Sequence, residues 1–518
     1  MTNPASPRPE RPRAVVRRIR TALVALLAAV LTLTACAPFE SSQPSAEAAA
    51  TEGAPAGLER FYTQEVSWSS CEGSYECATV SVPIDYADPS GDTVKLSLIR
   101  LTGRNAKASL VVNPGGPGGS GVDMVKDSAK SMFSQKLLDN YSVIGFDPRG
   151  VKRSAPITCV KDAERDRMRQ STVDPSTDAG LQQAFTEQKA LIDACAANSG
   201  PILAHTDTVS AAKDLDIIRA AATRQVRLDY LGYSYGTFLG STYASQFPDR
   251  VGRMVLDGAL DSSLSNHEIT VGQARAFEKA VHSYVRSCLT QSGCPLSGTE
   301  DDAVAQIQAL IARVKDQPLN TSSGRKVTAT DFVNGFILPL YNDRNWPALT
   351  QALGPALRGD GSGMLRLADL AADRESNGTY SSNSSFAFLA YNCLDYSTQS
   401  DPTAMRAEAA QLAEVSPTLG ESFAYGGVNC RDWPAKPVRT PAPAAYSGES
   451  TIMVLGTTGD PATPVEWAGS LRKQLGNAAL LTWQGEGHTA YGRGSSCVDK
   501  AVDSYLVDGS APTDGARC

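Results

Sequence analysis

Apolar residues along this chain fall into short runs set between longer stretches of helical spacing. Val94, Leu96 and Leu98 alternate with Lys95 and Ser97, which predicts a half-exposed strand over 94–101, preceded by another over 78–84. The runs 108–112, 141–146, 226–231 and 253–256 are apolar on both faces, and helices are predicted between them, over 122–138 and 236–247. Strands of this kind, alternating with helices, predict a mostly parallel sheet covered on both sides. From 263 to 445 the period changes: helical stretches such as 271–288, 301–315, 331–341 and 404–413 dominate, and strand signals are scarce. Buried strands return at 451–455 and 479–483, with a closing helix over 498–506. The pattern predicts one α/β core, 61–262 and 446–518, interrupted by a helical cap, 263–445.

The N-terminus follows different rules. Six arginines between Arg8 and Arg20 precede the apolar run 21–35, which ends in Leu33-Thr-Ala-Cys36. A basic region, a short apolar region and small residues before a cysteine predict an export signal over 1–35, too short to span a bilayer comfortably. Leu-Thr-Ala-Cys is similar to the bacterial lipobox, so Cys36 is the expected lipidation site and would anchor the protein to the outer face of the membrane. An ordinary cleaved signal, giving a secreted protein, is the alternative. Residues 36–60, rich in Ala, Ser, Pro, Glu and Gly, read as a flexible tether.

Those six arginines and Glu10 carry a charge of +5, so the chain without its signal stands at −12 against −7 for the whole. That balance argues against nucleic-acid binding. Apart from Cys36 there are ten cysteines, an even number that in an exported chain reads as disulfides. They fall into five neighbouring pairs along the sequence, although spacing alone does not fix connectivity. With four scattered histidines and no C-x-x-C, a metal site is not expected, and no cofactor is called for.

Gly232-Tyr-Ser234-Tyr-Gly236 is a G-x-S-x-G pattern placed between a predicted strand and a predicted helix. Such a strained turn lifts the serine hydroxyl clear of the backbone, and a Cβ at either glycine would crowd the neighbouring strand or helix. A serine needs a base, and the base needs an orienting acid, in the chain order Ser, Asp or Glu, His. His205 precedes Ser234, while His267 and His282 precede any later strand that could supply the acid. Only His488 remains. Asp460 ends the strand before it; Asp257 also ends a strand after Ser234 and is the rival acid. Backbone donors for an oxyanion are expected from Tyr235 and from the glycine-rich loop Asn113-Pro-Gly-Gly-Pro-Gly-Gly. A phosphate-binding loop is the other reading of that run, but it lacks the lysine and spacing such loops require.

With these residues in hand, the chain resembles the secreted tripeptidyl and prolyl aminopeptidase family of the α/β-hydrolase fold. The resemblance rests on 113–121, Phe146-Asp-Pro-Arg-Gly-Val-Lys-Arg-Ser154, Asp214-Leu-Asp216, Gly232–Thr237, Phe247–Val251, Leu256-Asp-Gly258, Gly459–Pro464 and Gly487-His488. It implies a triad of Ser234, Asp460 and His488, with Gly116 and Tyr235 N–H as the oxyanion hole. Asn113-Pro114 stands where the cytoplasmic prolyl relatives carry His-Gly, which favours the secreted tripeptidyl branch. The implied activity is release of short peptides, tripeptides above all, from a free N-terminus. An esterase or lipase with the same triad, and a peptide-binding surface lipoprotein, are the alternatives. Recognition of a free α-ammonium calls for carboxylates, for which Asp395 is the first candidate and Glu421 and Asp432 the next. Thr463 is expected to shape the pocket or cap a helix.

Overall fold

The computed structural model describes residues 50–518. Ten strands form one sheet in the order β1-β2-β3-β5-β4-β6-β7-β8-β9-β10. They are β1 Ser69–Cys71, β2 Tyr75–Pro83, β3 Thr93–Leu101, β4 Ala108–Asn113, β5 Tyr141–Phe146, β6 Leu228–Tyr233, β7 Val251–Asp257, β8 Ile452–Gly459, β9 Ala478–Glu486 and β10 Ala516–Arg517. Pairing is antiparallel from β1 to β3 and between β3 and β5, and parallel elsewhere. This is the α/β-hydrolase fold.

Period two survives inside the apolar strands. Val111, Ile144, Tyr230, Met254, Leu256 and Val454 face one core, while Leu110, Val112, Val143, Leu231, Val255 and Met453 face the other. Each face must be covered, because a strand buried on both sides has nothing polar to offer water. Helices Thr208–Ile218, Tyr235–Gln246 and Val465–Leu475 cover the first through Leu215, Phe238 and Leu471; Gly121–Met132 and Ser496–Asp503 cover the second through Val125 and Val502. The helix expected over 122–138 is two: it stops at Phe133, and Ser134 Oγ accepts from Leu137 N to start Gln135–Asn140.

Between β7 and β8 the chain runs through helices and contributes no strand to the sheet. Its first part builds a third core, in which Phe277, Val281, Ile307, Phe332, Leu349 and Leu365 meet. Its later part does not stand apart. Helix Ser384–Asp395 buries Ala387, Tyr391 and Leu394 in the sheet-side core. Two ion pairs also join 162–170 to the insertion: Arg169 donates to Asp331 (2.7 Å), and Asp166 accepts from Arg374 Nε (2.7 Å).

The ten cysteines are bonded as Cys71–Cys77, Cys159–Cys195, Cys288–Cys294, Cys393–Cys430 and Cys497–Cys518, the neighbouring pairs of the sequence. Residues 50–60, expected within the tether, are docked instead. Ala50 and Leu58 are buried, and the carbonyls of Ala50 and Gly53 accept from Arg219 Nη1 (3.0 Å) and Arg250 Nη2 (2.6 Å). Buried guanidinium groups need acceptors, and this segment supplies them. Cys36, the signal 1–35 and the rest of the tether lie outside the described residues. No helix among the described residues is long and apolar enough to cross a membrane.

Arg149, from the Asp147-Pro-Arg-Gly150 turn after β5, is fully buried and paired with Asp214 through Nε (2.7 Å) and Nη2 (2.6 Å). Its remaining donors go to the carbonyls of Ile84, His205 and Pro83. Asp214→Ala would leave a buried cation unpaired, at a cost of about 3–5 kcal/mol. Urea unfolding should show that loss, and a change within ~0.5 kcal/mol would refute it.

Candidate active site

The parallel register sets the ends of four strands side by side: Asn113 of β4 opposite Gly232, and Tyr233 of β6 opposite Asp257 of β7. β8 continues the edge to Gly459. Ser234 follows β6 at φ 55° and ψ −122°, a conformation that L-residues rarely adopt. Its N–H donates to Asp257 O (2.9 Å), and its carbonyl accepts from Thr237 N (2.8 Å) and Oγ1 (2.6 Å). The flanking glycines are sterically required: a Cβ on Gly232 would lie 2.3 Å from Gly236 O, and one on Gly236 2.9 Å from Asn113 O.

The glycine loop follows β4, the fourth strand. Asn113 Oδ1 accepts from Gly115 N (2.9 Å), which turns the loop back over the serine. A Cβ on Gly115 would sit 2.9 Å from Ser234 Cβ and 3.2 Å from Tyr235 N, so only bare backbone fits there. Tyr235 opens the helix Tyr235–Gln246, where its N–H has no acceptor within the helix. Gly116, the other expected donor, is the next residue of the same loop.

His488 lies on the loop after β9. Its Nδ1 stands 2.9 Å from both Asp460 Oδ1 and Oδ2. The Asp460 carboxylate also accepts from Ala462 N (2.9 Å), Thr463 N (2.8 Å), Thr463 Oγ1 (2.9 Å) and Thr489 N (3.1 Å). Thr463 Oγ1 is 3.3 Å from His488 Nδ1 as well, so it buttresses both partners. At the other side of the ring, Nε2 is buried with no hydrogen-bond partner among the described residues. A Cβ on Gly258 would lie 3.2 Å from His488 Cε1; the imidazole and the serine turn therefore flank the same end of β7.

Asp257, the rival acid, is elsewhere engaged. Its carboxylate accepts from Ala490 N (2.9 Å) and Tyr491 N (2.8 Å), holding the loop that carries His488. Burial pushes this carboxyl up to about 6, against the pull of those N–H groups and of His488.

Of the expected ammonium ligands, one is buried and two are exposed. Asp395 is 1 % exposed, and its oxygens accept from Thr208 N (2.9 Å) and Thr208 Oγ1 (2.6 Å). Burial pushes its carboxyl up to about 7. The reason is the face that helix Ser384–Asp395 presents to the sheet, which carries Asp395 inward with Tyr391 and Leu394. Thr208 Oγ1 in turn shares a hydrogen bond with Tyr235 OH (2.7 Å). Glu421 is exposed and pairs with Lys315, and Asp432 is exposed on the surface.

A cavity of about 650 Å³ opens beside the acid, lined by Thr458, Gly459, Asp460 and helix residues 275–286. Ser234 and His488 do not line it. It presents Glu466 and the half-buried Glu486, whose Oε1 accepts from Ser283 Oγ (3.2 Å) and whose carboxyl is raised by burial. Sequence reasoning missed Glu486, since a single glutamate two residues before a histidine carries no pattern.

Residues 416–518 match the family described as TAP-like protein. Serine protease Hip1 of Mycobacterium tuberculosis is 36 % identical over 478 residues, covering 88 % of this chain and 91 % of that protein. Carboxylesterase B of the same organism is 36 % identical over 500 residues, covering 93 % and 95 %. A tripeptidyl aminopeptidase of Streptomyces coelicolor is 28 % identical over 483 residues, covering 90 % and 88 %. With likeness of this degree along nearly its whole length, the chain belongs to the tripeptidyl-aminopeptidase-like family of α/β-hydrolase serine peptidases.

Proposed function

We propose that this chain is an exported serine exopeptidase that releases short peptides, tripeptides above all, from a free N-terminus through an acyl-enzyme on Ser234. One observation carries the reading: His488 is held by Asp460 at Nδ1 while Nε2 is left buried and unpartnered next to the strained serine turn. Asp460 accepts a hydrogen bond from Nδ1–H and so fixes the tautomer in which Nε2 is the base. Ser234 Oγ adds to the scissile carbonyl and its proton passes to Nε2, then to the leaving amine. The N–H groups of Tyr235 and Gly116 receive the oxyanion. Water, deprotonated by the same imidazole, then cleaves the ester and restores the serine.

A free ammonium needs a carboxylate, and Glu486, two residues before His488, presents one to the cavity beside Asp460. Export and attachment through Cys36 complete the reading. The name of the carboxylesterase relative favours a second one, an esterase using the same three residues.

Chromogenic tripeptide and single-proline amides, free and N-acetylated, offered beside a p-nitrophenyl ester, separate these. Turnover of the free-amine tripeptide amides is expected; turnover of the ester alone would hand the site to the esterase, and no turnover at all would favour a peptide-binding lipoprotein. Ser234→Ala should abolish activity with the unfolding curve unchanged. Asp460→Asn should lower kcat by about 10⁴-fold, and Asp257→Asn, which acts only through the loop, by less. An equal or larger loss in Asp257→Asn would reverse the two roles. Glu486→Gln should raise KM for free-amine peptides and leave N-acetylated ones unaffected; a KM unchanged for both would move the ammonium site elsewhere.

A further inference from the structure

The loop that delivers His488 is gripped from outside the sheet. Arg493, five residues on and largely buried, folds back so that Nη1 donates to His488 O (2.5 Å) and to Tyr341 O (3.3 Å). Its Nη2 donates to Glu486 O (3.2 Å), Asn342 Oδ1 (3.1 Å) and Asp343 Oδ1 (3.3 Å). Two of these acceptors belong to the histidine loop and three to the segment Leu338–Asn345 of the helical insertion. Other contacts fasten the same joint. His488 N donates to Tyr341 O (2.8 Å), Arg344 Nη2 donates to Arg493 O (2.9 Å), and the Tyr341 ring meets the imidazole edge-on at 5.5 Å. Gly487 is bare because a Cβ there would lie 2.7 Å from both Arg493 Nη2 and Tyr341 O.

We propose that Arg493 is a positioning residue for the base, locking the His488 loop onto the insertion so that the insertion, and not the sheet alone, sets where the imidazole stands. The inference rests on the reading of His488 as the base of Ser234. Asp460 and Asp257 hold the loop from the sheet side through Thr489, Ala490 and Tyr491. Neither touches the 486–488 backbone carbonyls. Among the side chains of the described residues only the guanidinium fork does, at Glu486 O and His488 O, and a planar fork with five donors fixes direction where an ammonium would not. The charged and titratable groups facing His488 are Asp460 from β8, Asp257 from β7, Tyr341 from the insertion and Arg493 itself. Arg493 is the cation bonded to the histidine's own carbonyl, with Arg344 one contact further out, so loss of Arg493 should favour the imidazolium.

The test is the rate at which a fluorophosphonate labels Ser234, which reads serine activation without any peptide. Displacement of a catalytic group by an ångström costs about 100-fold, so Arg493→Gln and Arg493→Lys should each label roughly 10- to 100-fold more slowly. The acid limb of the labelling rate should move to higher pH in Arg493→Gln, while Arg493→Lys, which keeps the charge, should hold it near the wild-type position. The Asn342→Ala/Asp343→Ala pair, on the accessible insertion side, should slow labelling by a smaller factor with the melting temperature preserved. Labelling of all three variants within twofold of wild type would overturn the proposal, as would slowing with the acid limb unmoved in Arg493→Gln. If wild type is labelled no faster than Ser234→Ala, it is the triad reading that fails.

Discussion

Everything at this site depends on the register of four parallel strands. Asn113, Ser234, Asp257 and Asp460 share no local sequence; β4, β6 and β7 end in near register, and β8 runs on past its pairing with Asp257 at Leu455 to Gly459, which carries Asp460 to the same edge. Parallel pairing forces each crossover to travel the length of the sheet and return, so the strand ends gather on one edge and the loops there are free to specialise. The serine turn uses that edge most tightly. A strand passes into a helix through one residue at positive φ, with backbone pressed against it from β4 and from its own helix.

Much of this was legible in the chain. The apolar runs located the strands to within a few residues, because strands buried on both faces cannot tolerate polar interruption. The scarcity of histidine singled out His488, and the structure does bring it to Asp460. The pairing of neighbouring cysteines was also visible, since short loops close most readily. What was not legible has a common cause. Asp395 stood in a motif beside a cysteine and invited a binding role, yet burial of its carboxylate is decided by the face its helix turns to the sheet. No sequence period distinguishes that face from the opposite one when Ala387, Phe388, Ala390 and Tyr391 are all apolar. Arg493 and Glu486 were hidden for a related reason. Their partners lie about 150 and 200 residues away in the chain, so no local spacing announces them.

Two buried carboxyls with raised affinity for protons, Asp257 and Asp395, reach this edge by different routes and do different things. Asp257 stiffens the histidine loop by accepting two consecutive N–H groups. Asp395 reaches the residue after the serine through the Thr208 hydroxyl and the Tyr235 phenol. Both are buried acceptors that tie a distant segment to a catalytic loop, and both cost desolvation that the fold offsets with neighbouring donors. The strongly bound acid, Asp460, differs from them in the number of donors it collects.

The helical insertion touches this edge at several points, among them two joints: Arg493 through Leu338–Asn345, and the glycine loop, where Ser384 O would stand 2.6 Å from a Cβ on Gly118. It is therefore not a detachable module. Grafting an insertion from a relative to change what the enzyme accepts would also import new neighbours for the imidazole and the glycine loop. Natural divergence faces the same condition: selectivity and turnover drift together unless the two joints are inherited with the helices that close them.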